Sequence, residues 1–226
     1  MTGYVRQRGG STVQHVIFDW NGTLIDDCGL AVATVNSLRD ECGMPRITRE
    51  QYRRAFRFPI REFYRSIGFD VDGDAFPALM ARYLERFNAQ VDDCALHAGT
   101  LDLLAGLRTA GVKVHILSAS HRDTLSTSLR AKGLAELFDH IAGLGDALAT
   151  TKHQLGTELA ARLGSPPADV VYVGDTDHDY EVACAQGWKF LFVDHGHQLA
   201  ASEAPHCSHT LRSLDEIFAH VQQETR

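Results

Sequence analysis

Five short apolar runs, at residues 15–20, 112–119, 140–144, 170–175 and 189–194, punctuate the chain. Each is a compact stretch of Val, Ile, Leu or Phe with the length expected of strands buried on both faces. Helical stretches are predicted between them, near 100–110, 121–132, 152–163 and 178–186. Gly111 and Gly164 stand where the helices before them would need a left-handed terminal residue. Strand and helix alternate in order, which predicts an α/β fold whose parallel sheet is covered by helices, a doubly wound core.

Between residue 28 and about residue 95 the alternation breaks and the periodicity is helical throughout. Ala31, Val35, Leu38 and Cys42 share one helix face, and Gly43 with Pro45 ends it. Thr48 and Gln51 have the spacing of a capping box, Pro59 opens or interrupts a further segment, and Phe76, Leu79, Met80, Tyr83, Leu84 and Phe87 form an apolar stripe. Residues 28–95 are therefore predicted to be an inserted helical domain, in a core made of residues 15–27 and 96–226. Residues 1–14, with Arg6, Arg8, Gly9 and Gly10, read as a flexible tail.

Composition narrows the class. The 226 residues are 44% hydrophobic and 23% charged, as in a globular protein with a substantial core. A net charge of −7 argues against nucleic acid as the main partner. No apolar run approaches membrane-spanning length. Cys28, Cys42, Cys94, Cys184 and Cys207 are odd in number and scattered, which suits packing thiols of a cytoplasmic protein. His195, His197, His206, Cys207 and His209 fit no common zinc spacing and read as loop residues.

The polar residues at the strand ends carry the candidate chemistry. Asp19 follows the first run and precedes Asn21-Gly22-Thr23; alone, such an aspartate could simply cap a turn. Ser118-Ala119-Ser120 ends the second run, where serine is usually a helix cap but can also hold an anion. Lys152 lies in a helix first turn, where its charge opposes the dipole and wants a partner. Asp175, Asp177 and Asp179 fall within five positions after a buried strand. Carboxylates so close repel unless a cation compensates them, and hard oxygen ligands suit Mg²⁺.

In order and spacing these four segments resemble the four motifs of the haloacid dehalogenase (HAD) superfamily, over residues 15 to about 200. The helical insert resembles the cap of phosphoglycolate phosphatases and their relatives. The resemblance implies a Rossmann-like core and a Mg²⁺-dependent phosphatase of a small phosphorylated metabolite, working as a monomer or homodimer. It implies Asp19 as nucleophile, forming an aspartyl-phosphate, and Ser118 and Lys152 holding the phosphoryl oxygens. Mg²⁺ would be bound by Asp19, the carbonyl of Asn21, and Asp175, with Asp179 supporting the metal's water shell or Lys152. Gly22, Thr23, Ala119 and His121 would line or shape the substrate site. Arg57, in the Arg57-Phe58-Pro59 loop, would meet a carboxylate or second phosphate, with Arg53, Arg54 and Arg61 as weaker candidates.

Asn21 departs from the superfamily pattern, which has an aspartate there to protonate the leaving group and activate water. An amide cannot take a proton, so that step should suffer by roughly 10²–10⁴-fold unless something replaces it. Four readings are open: a phosphatase with a good leaving group or another base such as His121 or His178; a phosphonatase-like enzyme; a dehalogenase; and a catalytically weak protein that binds a phosphorylated ligand. The phosphonatase reading needs a cap lysine, yet the lysines are Lys113, Lys132, Lys152 and Lys189. The acidic cluster argues against metal-free dehalogenation.

Overall fold

The computed structural model describes residues 13–145, 151–199 and 210–223. In chain order it contains β1 (His15–Phe18), α1 (Cys28–Glu41), α2 (Arg49–Ala55), α3 (Ile60–Ser66), α4 (Ala75–Asn88), α5 (Thr100–Thr109), β2 (Lys113–His121) and α6 (Arg122–Ala131). There follow β3 (His140–Leu144), α7 (Lys152–Leu163), β4 (Val170–Gly174), α8 (Asp177–Gln186), β5 (Lys189–Val193), β6 (Thr210–Leu211) and α9 (Asp215–Gln223).

The strands form one parallel sheet in the order β3-β2-β1-β4-β5-β6. Side-chain alternation explains why each strand is apolar throughout. Val16 and Phe18 of β1, with Val171 and Val173 of β4, pack into one core layer. Ile17 and Tyr172 face the opposite layer, with Leu155, Leu159 and Val182 of the helices there. The order reverses at β1, so the carboxyl ends of β1 and β4 flank a topological switch point, where open α/β sheets bind ligands.

The predicted strands and core helices are present, with β2 running to His121. β6 and α9 were not predicted: β6 is a pair of residues, too short for a period, although Leu214, Ile217 and Val221 bury the α9 region against the core. Gly111 and Gly164 both have positive φ.

Residues 28–95 hold α1–α4 and no strand of the sheet. Thr48 and Gln51 form the capping box that opens α2. Two chain crossings join this block to the sheet side by side: Asp26 N donates to Ala95 O and His97 N to Leu24 O, each at 2.9 Å. No helix among the described residues is long and apolar enough to cross a membrane.

Candidate active site

β1 ends in Asp19, whose backbone N–H donates to Val173 O of β4 at 2.9 Å, locking it to the switch point. Lys152 opens α7 beneath it. The Lys152 Nζ donates to Asp19 Oδ1 at 2.6 Å and also to Asp179. Asp179 is further held by Tyr172 Oη at 2.8 Å and by Thr176 Oγ1 at 2.6 Å. Thr176 caps α8, so the capping box that starts this helix also fixes the carboxylate that holds Lys152. Asp175 sits beside them, accepting from Thr23 Oγ1 at 2.9 Å and from the His197 N–H at 2.6 Å.

All four charged groups are buried, which sets their electrostatics. Asp19 is pushed up to about 8, by burial first and then by Asp179 and Asp175, against the pull of Lys152. Burial likewise takes Asp175 to about 6. Asp179 is held below the usual carboxylate range, because Lys152 and its hydrogen bonds outweigh burial. Burial disfavours the charged lysine, but Asp179 and Asp19 outweigh it and hold Lys152 above its ordinary range. Lys152 thus serves Asp19 and Asp179, while Asp175 has only the charge of His197 to ease it, and the ligand oxygens of these three carboxylates lie within 4.8 Å of one another. A hard divalent ion would relieve that imbalance, so the donor set fits Mg²⁺.

The turn after Asp19 is built around Asp27. Asn21 Nδ2 donates to Asp27 Oδ2 at 2.6 Å, and Gly22 N donates to Asp27 Oδ1 at 2.8 Å. His197 Nε2 lies 3.1 Å from the same Asp27 oxygen, and His197 Nδ1 lies 3.1 Å from Tyr52 Oη of α2. Asn21 Oδ1 accepts from Ser120 Oγ. Burial opposes charge on Asp27 and on His197, but their pairing outweighs it: Asp27 is lowered, and His197 rises to about 9. Gly22 has φ +74°, and a Cβ there would lie 2.4 Å from Asp175 Oδ2 and 2.6 Å from His197 Cδ2, so glycine is required.

A cavity of about 430 Å³ opens over Asp19. Of the residues predicted from sequence, Asp19, Asn21, Ser118, Ala119, His121 and Lys152 line it. Asp175 and Asp179 stand behind this lining, while Gly22 and Thr23 shape the turn and hold Asp175 rather than face the cavity. Arg57 does not line it. In the extended stretch after α2, Phe56 and Phe58 turn inward and Arg57 turns out, donating to Ala55 O at 3.0 Å. His178 stacks under Phe58 with ring centroids 4.5 Å apart and is not part of the lining. His206, Cys207 and His209 lie outside the described residues.

Sequence reasoning missed Asp27, His197 and Tyr52, and it placed Ser120 at the strand end without its bond to Asn21. An aspartate just before a helix reads as an N-cap, yet the Asp27 side chain makes no capping bond and serves Asn21 instead. His197 carried no local signal, since its partners lie more than a hundred residues away.

A sequence-family model described as "Haloacid dehalogenase-like hydrolase" matches residues 16–193. The chain is 33% identical over 175 residues to a phosphoglycolate phosphatase of Synechococcus elongatus, a match covering 76% of this chain and 79% of that protein. Among solved structures, protein tyrosine kinase A of Mycobacterium tuberculosis superposes with a TM-score of 0.78 at 26% identity, covering 94% of this chain and 99% of that one. A predicted phosphatase from Clostridium acetobutylicum gives 0.80 at 20% identity, over 94% of this chain and all (100%) of that chain, a likeness of fold.

Proposed function

The chain belongs to the haloacid dehalogenase-like hydrolases, and on that premise we propose that it is a Mg²⁺-dependent phosphatase of a small phosphorylated metabolite. The observation that carries this reading is the Lys152 ammonium shared between Asp19 and Asp179 at the β1–β4 switch point. In this reading an Asp19 carboxylate oxygen attacks phosphorus, the phosphorus–oxygen ester bond breaks, and an aspartyl-phosphate forms. Water then attacks phosphorus, releasing inorganic phosphate and restoring the carboxylate. Ser118 and Lys152 hold the phosphoryl oxygens, with Lys152 matching the charge that builds on them. Asp179, already saturated by Lys152, Tyr172 and Thr176, positions the lysine. Asp19, the Asn21 carbonyl and Asp175 would hold Mg²⁺, which supplies Lewis acidity and screens the nucleophile from the substrate's charge. Residues 28–95 serve as a cap over the core of residues 15–27 and 96–226, closing to exclude bulk water during the first transfer.

A second reading, a protein that binds a phosphorylated ligand with little turnover, is favoured by Asn21 alone. The same experiment separates the two. Phosphate release from a panel of phosphorylated compounds should require Mg²⁺ and fall to the no-enzyme background in Asp19→Asn. A mass increase of one phosphoryl group on the peptide carrying Asp19 should appear on acid quench. Binding without release in the native chain would instead favour the second reading.

A further inference from the structure

The cavity over Asp19 has two chemically distinct ends. The core supplies its polar end: Asp19, Ser118, Ser120, Lys152 and Thr176. The helical block supplies the other end, and none of the residues between 28 and 95 that line the cavity carries a formal charge. Phe58, Met80, Tyr83, Leu84 and Phe87 make up much of that surface, an aromatic and thioether lining suited to a flat apolar group.

The block is nevertheless rich in arginine, and every arginine from 46 to 65 is committed elsewhere. Arg46 pairs with Asp40, Arg54 with Glu50 and Arg65 with Glu62. Arg49 donates to His195 O, and Arg53 to Asp194 and to the carbonyls of Gly196 and Gln198. Arg57 turns back to Ala55 O, and Arg61 donates to Val71 O while lying 4.4 Å above the Phe76 ring. A carboxylate or second phosphate on the leaving group would meet no arginine or lysine at this end, and the His197 imidazole that lines the cavity is already paired with Asp27, so the anion would lose its water without a free partner.

Asn21 points the same way from a different direction. Its amide is bound on both sides, to Asp27 and Ser120, and cannot deliver a proton to a departing oxygen. A leaving group that is stable as an anion does not need one. A phenolate meets both conditions, being aromatic, apolar and weakly basic.

We propose that the substrate is an aryl phosphate monoester, its ring seated among Phe58, Met80, Tyr83 and Leu84 and its phosphoryl group at Asp19. This rests on the phosphatase reading and names its substrate class. On attack by Asp19 the aryl oxygen keeps the electron pair of the broken bond and leaves as a phenolate, which takes its proton from water after release.

The test is steady-state kinetics with Mg²⁺ on 1-naphthyl phosphate, substituted phenyl phosphates, benzyl phosphate and phosphoglycolate. kcat should fall steeply as the phenol becomes more basic. Benzyl phosphate, which keeps the ring but has a poor leaving group, should retain KM and lose kcat by roughly 10²–10⁴-fold. Phosphoglycolate should show kcat/KM lower than naphthyl phosphate by at least about 10²-fold. Leu84 is 47% exposed, so Leu84→Arg should fold as the native chain does. That variant should raise KM for naphthyl phosphate and lower it for phosphoglycolate. Turnover that is abolished by Asp19→Asn yet prefers phosphoglycolate, or ignores phenol basicity, overturns the aryl assignment and leaves the phosphatase reading intact. No hydrolysis of any ester overturns both.

Discussion

Asn21 is hydrogen-bonded in a way that only an amide satisfies. It must donate toward the Asp27 carboxylate and accept from the Ser120 hydroxyl, and an aspartate can do only the second. Asn21→Asp would set two carboxylates about where a 2.6 Å hydrogen bond now lies, beside a fully buried Asp27. One would have to stay protonated or the turn would have to open. Restoring the superfamily's usual residue should therefore destabilise this chain, by about 1–3 kcal/mol in urea unfolding at pH 7. Asp27→Asn should also destabilise, and the double variant should lose less than the sum, because the repulsion is absent. Strict additivity, with Asn21→Asp as stable as the native chain, would show that the contact contributes nothing. The departure at Asn21 was legible in the sequence. Its reason was not, because Asp27 in the sequence looks like any helix cap.

The elements were legible wherever a local rule governs them. Buried parallel strands must be apolar on both faces, so β1, β4 and β5 stand out as runs. Thr48, Thr151 and Thr176 each open a helix with a full capping box. What a sequence does not reveal is the partner of a long side chain. The arginines of α2 and α3 suggested an anion-binding cap, whereas Arg53 crosses to the loop after β5 and holds Asp194 at 2.7 Å and Gly196 O at 2.8 Å. That loop carries His197 to Asp27 and gives Asp175 a backbone donor. Arg53→Met keeps the stem and removes the donors. Amide hydrogen exchange should then accelerate at residues 194–198 and stay unchanged in β1 and β4. Unchanged protection of that loop would mean that it is held without help from the Arg53 guanidinium.

Two histidines placed at opposite ends of the sheet give the fold opposite responses to pH. His197 lies at the carboxyl end, where Asp27 holds its proton: folded, its pKa is about 9, against 6.5 unfolded. Its contribution is complete below pH 6.5 and is lost as pH rises through about 9. His115 lies in β2, with its Nε2 3.0 Å from His15 Nδ1 and its ring stacked on His140. Burial, helped by those neighbours, takes it down to about 3 from 6.5. The unfolded chain therefore binds a proton there that the folded chain refuses, and stability falls as pH drops from 6.5 toward 3. Thermal stability should consequently be greatest near pH 6.5, with an alkaline limb falling toward pH 9 and an acid limb falling toward pH 3. His197→Gln should flatten the alkaline limb and leave the acid limb in place. His115→Phe fills similar volume without a titrating ring and should flatten the acid limb alone. Melting temperatures measured from pH 3 to pH 10 would test both. If both variants trace the native profile, the limbs belong to the carboxylates around Asp19 and not to these two histidines.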